Sequence, residues 1–535
     1  MAERFPAVAR TTDVIAALRY GVRRVFDVAE RGLDRLAGPA LNPLAQLGAL
    51  GFFLFWIVAV SGIYLFMLFD TGVENAYASV EWYSTRHAWH AGVMRSFHRY
   101  ASDMMVVVMA LHLLREFSRD RYRGARWFSW LTGVPVIWFL YMSGITGYWL
   151  VWDQLAQYVA TTSTELLDWL PIFGEPIARN FLAPSSLSNR FFTLLVFLHI
   201  AVPLVLLFML WIHIQRITRP KVNPPRTLAA LMMLALFAVS VAKPALSQGP
   251  ADLARVPSPV GLDWFYLPLY PLADAAPGAL WGLLAAATVM LAAMPWLPPL
   301  RRMRPATVDL PHCNGCGRCV EDCPYDALQL VPRSDDLPYA LEVAVDTDKC
   351  VSCGICTGSC PSSTPFRSVG PLVTGIDLPD LTFASQRERV HELAKVSDHK
   401  VSDQSPRLLV IGCQHGAAGT RTDDTLSLPC VAMAPPSLID YALSRGFADG
   451  VVVAGCAESA CYNRLGVEWM QQRIAGERDP YLRSRVPRER ILSVWASPTE
   501  GARLDRELAA FKERLATMTE SQSPAEAPAI REAAS

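Results

Sequence analysis

The sequence predicts a multi-domain protein: an α-helical transmembrane bundle, four helices plus two further spans, then a small α+β domain and an α/β domain. Three observations carry that prediction. Of the 535 residues 52% are hydrophobic, too many for an ordinary soluble chain of this length. Six apolar stretches, at roughly 44–69, 97–117, 127–152, 189–215, 226–246 and 277–298, are each long enough to cross about 30 Å of hydrocarbon. All twelve cysteines lie between Cys313 and Cys461, so the chemistry changes near Arg304. The formal net charge is zero, which supplies no general field for nucleic acid.

Residues 1–40 come first. Val14, Leu18, Val22, Val25, Ala29, Leu33 and Leu36 recur every three or four positions among Arg19, Arg23, Arg24, Arg31 and Arg35. That pattern predicts an amphipathic surface helix, lying on an anionic leaflet or packed on a partner, and does not fit a cleavable signal peptide. Residues 41–220 then form the four-helix unit and 221–304 hold two more spans. The connection with Arg115, Arg119, Arg121, Arg123 and Arg126, the one with Arg216, Arg219, Lys221 and Arg226, and the exit Arg301, Arg302 and Arg304 are all basic, whereas the alternate connections are not. The positive-inside rule therefore puts both termini and the cysteine-bearing half in the cytoplasm of a multi-pass inner (plasma) membrane protein. Short cysteine spacings suit that reducing compartment.

The second span carries His98 and His112, and the fourth carries His199 and His213, each pair fourteen residues apart. Fourteen helical steps fall about 40° short of four turns, so both members of a pair share one face about 21 Å apart. Two such helices facing each other offer two stacked bis-imidazole sites, and imidazole is an axial ligand of haem iron. Gly48 and Gly62 on the first span and Gly133 and Gly147 on the third repeat the same spacing, and glycine leaves room where a flat macrocycle approaches backbone.

Arg95-Ser96-Phe97-His98-Arg99, Met104-Met105, His112, Gly147-Tyr148-Trp149-Leu150-Val151-Trp152-Asp153-Gln154, His199, Pro203 and His213 occur in an order that resembles the cytochrome b of quinol-oxidising bc-type complexes, over about residues 40–300. The resemblance implies two b haems, one on His98 and His199 nearer the outer face and one on His112 and His213 nearer the cytoplasm. Arg99 and Arg115 stand as propionate partners or as side chains snorkelling to the interface. Gln46 occupies the place of the haem-attaching cysteine of plastid-type relatives, so no covalent haem is expected. The segment Asp263-Trp264-Phe265-Tyr266-Leu267-Pro268 looks like the Pro-Glu-Trp-Tyr segment of the outer quinol site, although Leu262 and Val151 replace two prolines of the family. It implies Asp263 as the proton-accepting carboxylate with Tyr266 beside it; the alternative is an interfacial aromatic belt with one solvated acid. Quinone or quinol as substrate, membrane lipid, a Rieske or cytochrome c subunit and a second copy of the chain are the partners the resemblance implies. His87 and His90 are read as surface residues.

Residues 305–372 hold Cys313, Cys316, Cys319 and Cys323-Pro324, repeated as Cys350, Cys353, Cys356 and Cys360-Pro361, the pattern of a bacterial-type ferredoxin with two [4Fe–4S] clusters. The fourth cysteine of each run serves the other cluster. One cluster then takes Cys313, Cys316, Cys319 and Cys360, and the other takes Cys350, Cys353, Cys356 and Cys323. A structural zinc needs four ligands and does not explain eight.

A polar linker is expected at 373–406, an α/β domain at 407–514 and a disordered tail at 515–535. Arg407 to Cys413 and Gly450 to Cys456 read as buried strands ending at cysteines, with Pro435 to Ser444 a helix between them. Cys413, Pro429-Cys430 and Gly455-Cys456-x4-Cys461-Tyr462 resemble the delta subunit of methyl-viologen-reducing hydrogenase, which implies one [2Fe–2S] cluster on Cys413, Cys430, Cys456 and Cys461 and a flavoprotein, hydrogenase-like or heterodisulfide-reductase-like partner. Gly416 stands where that family has a further cysteine. Free buried thiols are the other reading. These parts imply an oxidoreductase subunit passing electrons between the quinone pool, haems and cytoplasmic clusters. A quinone reductase fed from the cytoplasm, with a vestigial outer site, and a non-catalytic docking subunit are the alternatives.

Overall fold

The computed structural model describes residues 6–172, 182, 187–257, 259–297, 303–366, 371–400, 405–421 and 423–522. The chain divides into two compact units, Met1–Gln215 with Pro220–Leu300, and Arg216–Arg219 with Arg301–Ser535.

The first unit is helical. Helix α1 (Pro6–Ala37) has the expected period. Its buried face is the charged one: Glu30 accepts 2.8 Å hydrogen bonds from Arg115 and Arg119, and Arg19 pairs with Asp120 at 2.9 Å. Val14, Leu18, Val25, Val28 and Leu36 are left outward. Burial opposes the charge of Glu30, but the two guanidiniums beside it outweigh burial and hold its carboxyl below the usual carboxylate range. The turn into α2 (Leu47–Phe66) is pinned by the buried Asn42, which donates to Glu30 O at 3.1 Å and Asp34 Oδ1 at 2.7 Å and accepts from Leu44 N at 3.0 Å.

After α3 (Ala76–Thr85), α4 (Val93–Ser118) packs on α2. Helix α5 (Trp127–Val151) is followed by α6 (Gln154–Asp168), opened by Asp153 accepting from Ala156 N at 2.8 Å. Helix α7 (Asn189–Ile214) packs on α5, α8 (Arg226–Ala242) on α4, and α9 (Tyr270–Ala275) leads into α10 (Pro277–Ala293). Leu50, Leu54, Met105, Leu140, Leu195 and Leu206 belong to the core between them.

Among the described residues four segments are long and apolar enough to cross a membrane: Pro43–Phe66, Trp127–Val151, Asn189–Ile214 and Pro277–Trp296. The other two expected spans differ for separate reasons. Helix α4 has 26 residues but carries Arg95, Arg99, Asp103, Arg115 and Glu116, and α8 has only 17 residues.

The second unit opens with two antiparallel pairs, β1 (Thr307–Val308) with β4 (Ile376–Asp377) and β2 (Leu328–Pro332) with β3 (Leu341–Val345). Two five-residue helices, α11 (Arg318–Asp322) and α12 (Ile355–Ser359), each start from a left-handed glycine, Gly317 (φ 77°) and Gly354 (φ 73°), so the cysteine repeat is also a structural repeat. The segment expected as a polar linker is mostly helix, α13 (Phe383–Lys400). Phe383, Val390 and Leu393 are buried along one side of it, with the polar Gln386 buried among them, a stripe that the polar composition hid.

Strands β5 (Leu408–Cys413), β6 (Thr425–Leu428), β7 (Gly450–Gly455) and β8 (Ile491–Trp495) form a parallel sheet in the order β6-β5-β7-β8. Helices α14 (Pro436–Ser444), α15 (Gly466–Ala475) and α16 (Gly501–Gln522) accompany it. Of the tail expected at 515–535, residues 515–522 belong to α16, where Leu515 is buried with Phe511 and Val452, and residues 523–535 lie outside the described residues.

Backbone contacts join the cysteine-repeat domain to the sheet. A side chain at Gly358 would meet Ala432 O at 2.0 Å, and one at Gly354 would meet Met433 Sδ at 2.4 Å. Arg473 is fully buried there, donating to Ala432 O at 2.8 Å, Ser359 Oγ at 2.7 Å and Asp322 Oδ2 at 2.5 Å. Such a buried cation persists because every partner is an acceptor.

Candidate functional site

In the first unit α4 places His98 and His112 opposite α2, and α7 places His199 and His213 opposite α5. Each histidine meets one of the four predicted glycines. An added Cβ would lie 2.9 Å from His199 Cε1 at Gly147, 3.1 Å from His98 at Gly62, 3.3 Å from His213 at Gly133 and 3.6 Å from His112 at Gly48. The rings of His98 and His199 approach across the bundle with centroids 6.4 Å apart and planes inclined by 63°. Two nitrogen–metal bonds of about 2 Å each plus the two ring radii fill that gap, so the donor set and spacing fit a bis-imidazole iron.

The rings are also oriented. His98 Nδ1 donates to Val58 O at 3.0 Å and lies 3.0 Å from Ser61 Oγ. His199 Nδ1 donates to Ser143 O at 3.1 Å and lies 3.2 Å from Thr146 Oγ1, and His213 Nδ1 lies 3.3 Å from Thr132 Oγ1. Holding Nδ1 this way leaves Nε2 to the ligand position. Ser61, Thr132 and Thr146 were not singled out from the sequence. The signal was present, since each directly precedes one of the glycines, and Leu47 takes that place before Gly48.

The outer segment folds between α4 and α5. Tyr266 is buried; its hydroxyl lies 2.7 Å from Ser102 Oγ, and its ring fills the room left at Gly144. Asp263, also buried, accepts from the Tyr148 hydroxyl, from Phe265 N at 2.9 Å and from Tyr266 N at 3.1 Å. Arg99 Nη2 stands 3.2 Å from Asp263 Oδ2 while its Nε stands 3.2 Å from Asp103 Oδ2. Arg99 is thus shared by two carboxylates, and Arg115 is taken up by Glu30. His90 Nδ1 lies 2.9 Å from Tyr64 Oη and its Nε2 lies 3.2 Å from His87 Nδ1.

In the second unit the eight repeat cysteines converge in two crossed sets. One hollow is lined by Cys323, Cys350, Cys353 and Cys356. Another is lined by Cys313, Cys316, Cys319 and Cys360. Burial pushes the thiols of Cys319, Cys353 and Cys356 up. Such thiols become thiolates only where a cation sits among them, which is the chemistry an iron–sulfur cluster supplies.

The remaining four cysteines meet at the carboxyl edge of the parallel sheet, where open α/β sheets present their ligands. Strands β5 and β7 are neighbours, and Cys413 Sγ and Cys456 Sγ stand 3.4 Å apart at their ends. Cys430 and Cys461 converge on Gly466, where an added Cβ would lie 2.2 Å and 3.7 Å from their sulfurs. The neighbouring Cys413 sulfur, with burial, pushes the Cys456 thiol up to about 12. His415 stacks on Tyr462 beside them, centroids 3.6 Å apart and 8° from parallel. At Gly416 a side chain would strike Gly455 O at 2.7 Å, so this backbone has no place for a further cysteine there.

Comparisons with known proteins divide along the same lines. The family model for cytochrome b/b6/petB matches residues 33–220, that for a 4Fe-4S dicluster domain matches 312–364, and that for the methyl-viologen-reducing hydrogenase delta subunit matches 420–519, which leaves Cys413 outside. Cytochrome b of Acanthamoeba castellanii is 25% identical over 297 residues, covering 50% of this chain and 76% of that protein. Cytochrome b of Rhodospirillum rubrum is 26% identical over 307 residues, covering 51% and 75%. A chain of a hyperthermophilic respiratory complex III aligns with a TM-score of 0.36 and 21% identity over 47% of this chain and 74% of that one.

Proposed function

We propose that this membrane electron-transfer subunit, cytochrome b-like in its first half and iron–sulfur-bearing in its second, carries electrons between the quinone pool and a soluble cytoplasmic redox partner. His98 and His199 hold one b haem near the outer face, and His112 and His213 hold another near the cytoplasm. Cys313, Cys316, Cys319 and Cys360 hold one [4Fe–4S] cluster, and Cys350, Cys353, Cys356 and Cys323 the other. Cys413, Cys430, Cys456 and Cys461 hold a [2Fe–2S] cluster at the exit, facing a flavoprotein, hydrogenase-like or heterodisulfide-reductase-like enzyme. Asp263 and Tyr266 mark the quinol site. The observation that carries the reading is the histidine geometry: four imidazoles, each against a glycine of the neighbouring helix, with those of His98 and His199 6.4 Å apart, a spacing that two bonds to one iron would fill.

Electrons moving inward from quinol oppose an inside-negative potential by about 2.3 kcal/mol per 100 mV for each charge. A second acceptor for quinol electrons, a Rieske or cytochrome c subunit, supplies the downhill branch.

The test is a reduced-minus-oxidised spectrum of the purified protein and of His112→Ala. The wild type should show two b-type haems and the variant one, with quinol as well as dithionite reducing the remaining haem. A purified, membrane-inserted protein without a Soret band refutes the reading. Polypeptides that co-purify identify the soluble partner.

A further inference from the structure

Sequence reasoning gives the proton of the outer quinol reaction to Asp263. The hydrogen bonds around that residue argue for a different role. Its oxygens accept from the Tyr148 hydroxyl, Phe265 N and Tyr266 N, and the Arg99 guanidinium lies against them. Both carboxylate oxygens of Asp263 therefore meet donors, Oδ2 those of Tyr148, Tyr266 and Arg99 and Oδ1 that of Phe265.

Asp103 is placed differently. It is 6% exposed, its Oδ2 faces Arg99, and its Oδ1 is buried without a hydrogen-bond partner among the described residues. It follows His98 by five residues, so it is turned about 140° from the histidine stripe of α4 and away from the haem position. Its neighbour Ser102 meets the Tyr266 hydroxyl of the outer segment. One guanidinium therefore serves two buried carboxylates. With both ionised the group holds an uncompensated negative charge in apolar surroundings, and one proton removes it. The oxygen free to take that proton is Asp103 Oδ1. The ionisable groups around Asp103 are Arg99 and Tyr100 on α4, Tyr148 on α5, and Asp263 and Tyr266 from the outer segment. Helix α8, packed on α4, carries no ionisable side chain from Thr227 to Ala242.

We propose that Asp103 is the acid–base residue of the outer quinol site, and that Asp263 is a positioning residue that holds Arg99 and Tyr148 beside it. This rests on the outer-site reading given above. Oxidation of one quinol to quinone would release two protons and two electrons, one electron to the haem that His98 and His199 would hold and the other to the Rieske or cytochrome c acceptor, or in the isolated protein to the second haem. The Asp103 carboxylate takes one proton, becoming a carboxylic acid that later returns it to outer water; the other passes to water directly.

The test uses the full-length, haem-loaded protein in phospholipid nanodiscs with a short-chain quinol. Haem reduction is followed across acid and neutral pH for the wild type, Asp103→Asn, Asp103→Glu and Asp263→Asn. Asp103→Asn should slow quinol-driven reduction by about a hundredfold and flatten its pH dependence, Asp103→Glu should restore both, and the dithionite-reduced spectrum should not change. Quinol-minus-quinone infrared difference spectra give a second readout. A protonated-carboxyl band should be present in the wild type and absent from Asp103→Asn, whether or not Asp263→Asn folds. Wild-type rates and an intact band in Asp103→Asn overturn the assignment. A band removed by Asp263→Asn instead returns the proton to Asp263 and leaves the outer site standing. Wild-type haems that dithionite reduces and quinol does not overturn the outer site, and this proposal with it.

Discussion

In the first unit the candidate ligands ride on two long helices, α4 and α7, and room is made by side chains missing from the helices they face. In the second unit the cysteines sit on loops and short turns, and each set is assembled from segments far apart in sequence, Cys360 with Cys313 to Cys319 and Cys323 with Cys350 to Cys356. The difference teaches where each site is vulnerable. A helix fixes spacing by its own period, so the bundle depends on clearance; a loop site depends on which strand of chain delivers each sulfur.

The largest expected effect tests the crossing. Cys360→Ser, although it lies in the second run, should abolish the electron paramagnetic resonance signal of the cluster on Cys313, Cys316 and Cys319 and spare the other. Loss of the second cluster instead would mean the runs are self-contained. Clearance is tested next, by a graded pair. Gly147→Ala, with its Cβ 2.9 Å from His199, should cost most of the outer haem absorbance, whereas Gly48→Ala, at 3.6 Å from His112, should keep the inner one. Equal losses in the two would show that the glycines serve helix packing and not the histidines.

The smallest effect concerns stability. Glu30 joins α1 to the bundle, and Glu30→Gln takes one of their carboxylates from Arg115 and Arg119, which keep Glu116 and Asp27, and should cost about 1–3 kcal/mol. Because the native carboxyl titrates below its unfolded value, that stabilisation is present above about pH 4.5 and is lost as the pH falls through the native value. Melting curves of the detergent-solubilised protein should show a steeper acid loss for wild type than for Glu30→Gln. Identical acid limbs would count against this pair.

Much of this was legible because it is local. A fourteen-residue period places His98 with His112, and two- and three-residue gaps place the cysteines of each run. The rest depends on contacts between distant segments. Nothing near Arg473 announces that it will meet Asp322, and Asp103 reads as one polar residue in a charged span until Arg99 is seen bridging it to Asp263. The stripe of α13 was hidden by its polar majority, and the buried acids of α1 by the arginines around them. The hydroxyls of Ser61, Thr132 and Thr146 were readable in principle, because each stands next to a glycine of the fourteen-residue pattern.

The side-chain-free contacts of Gly354 and Gly358 have a kinetic consequence. Because α12 is pressed backbone to backbone against the turn after Cys430, with Arg473 locking both, there is no arm to swing between the cysteine-repeat domain and the sheet. The electron transfer proposed between them would then be a fixed-distance hop, its pace indifferent to solvent viscosity, unlike that of carriers that ferry charge on a tether.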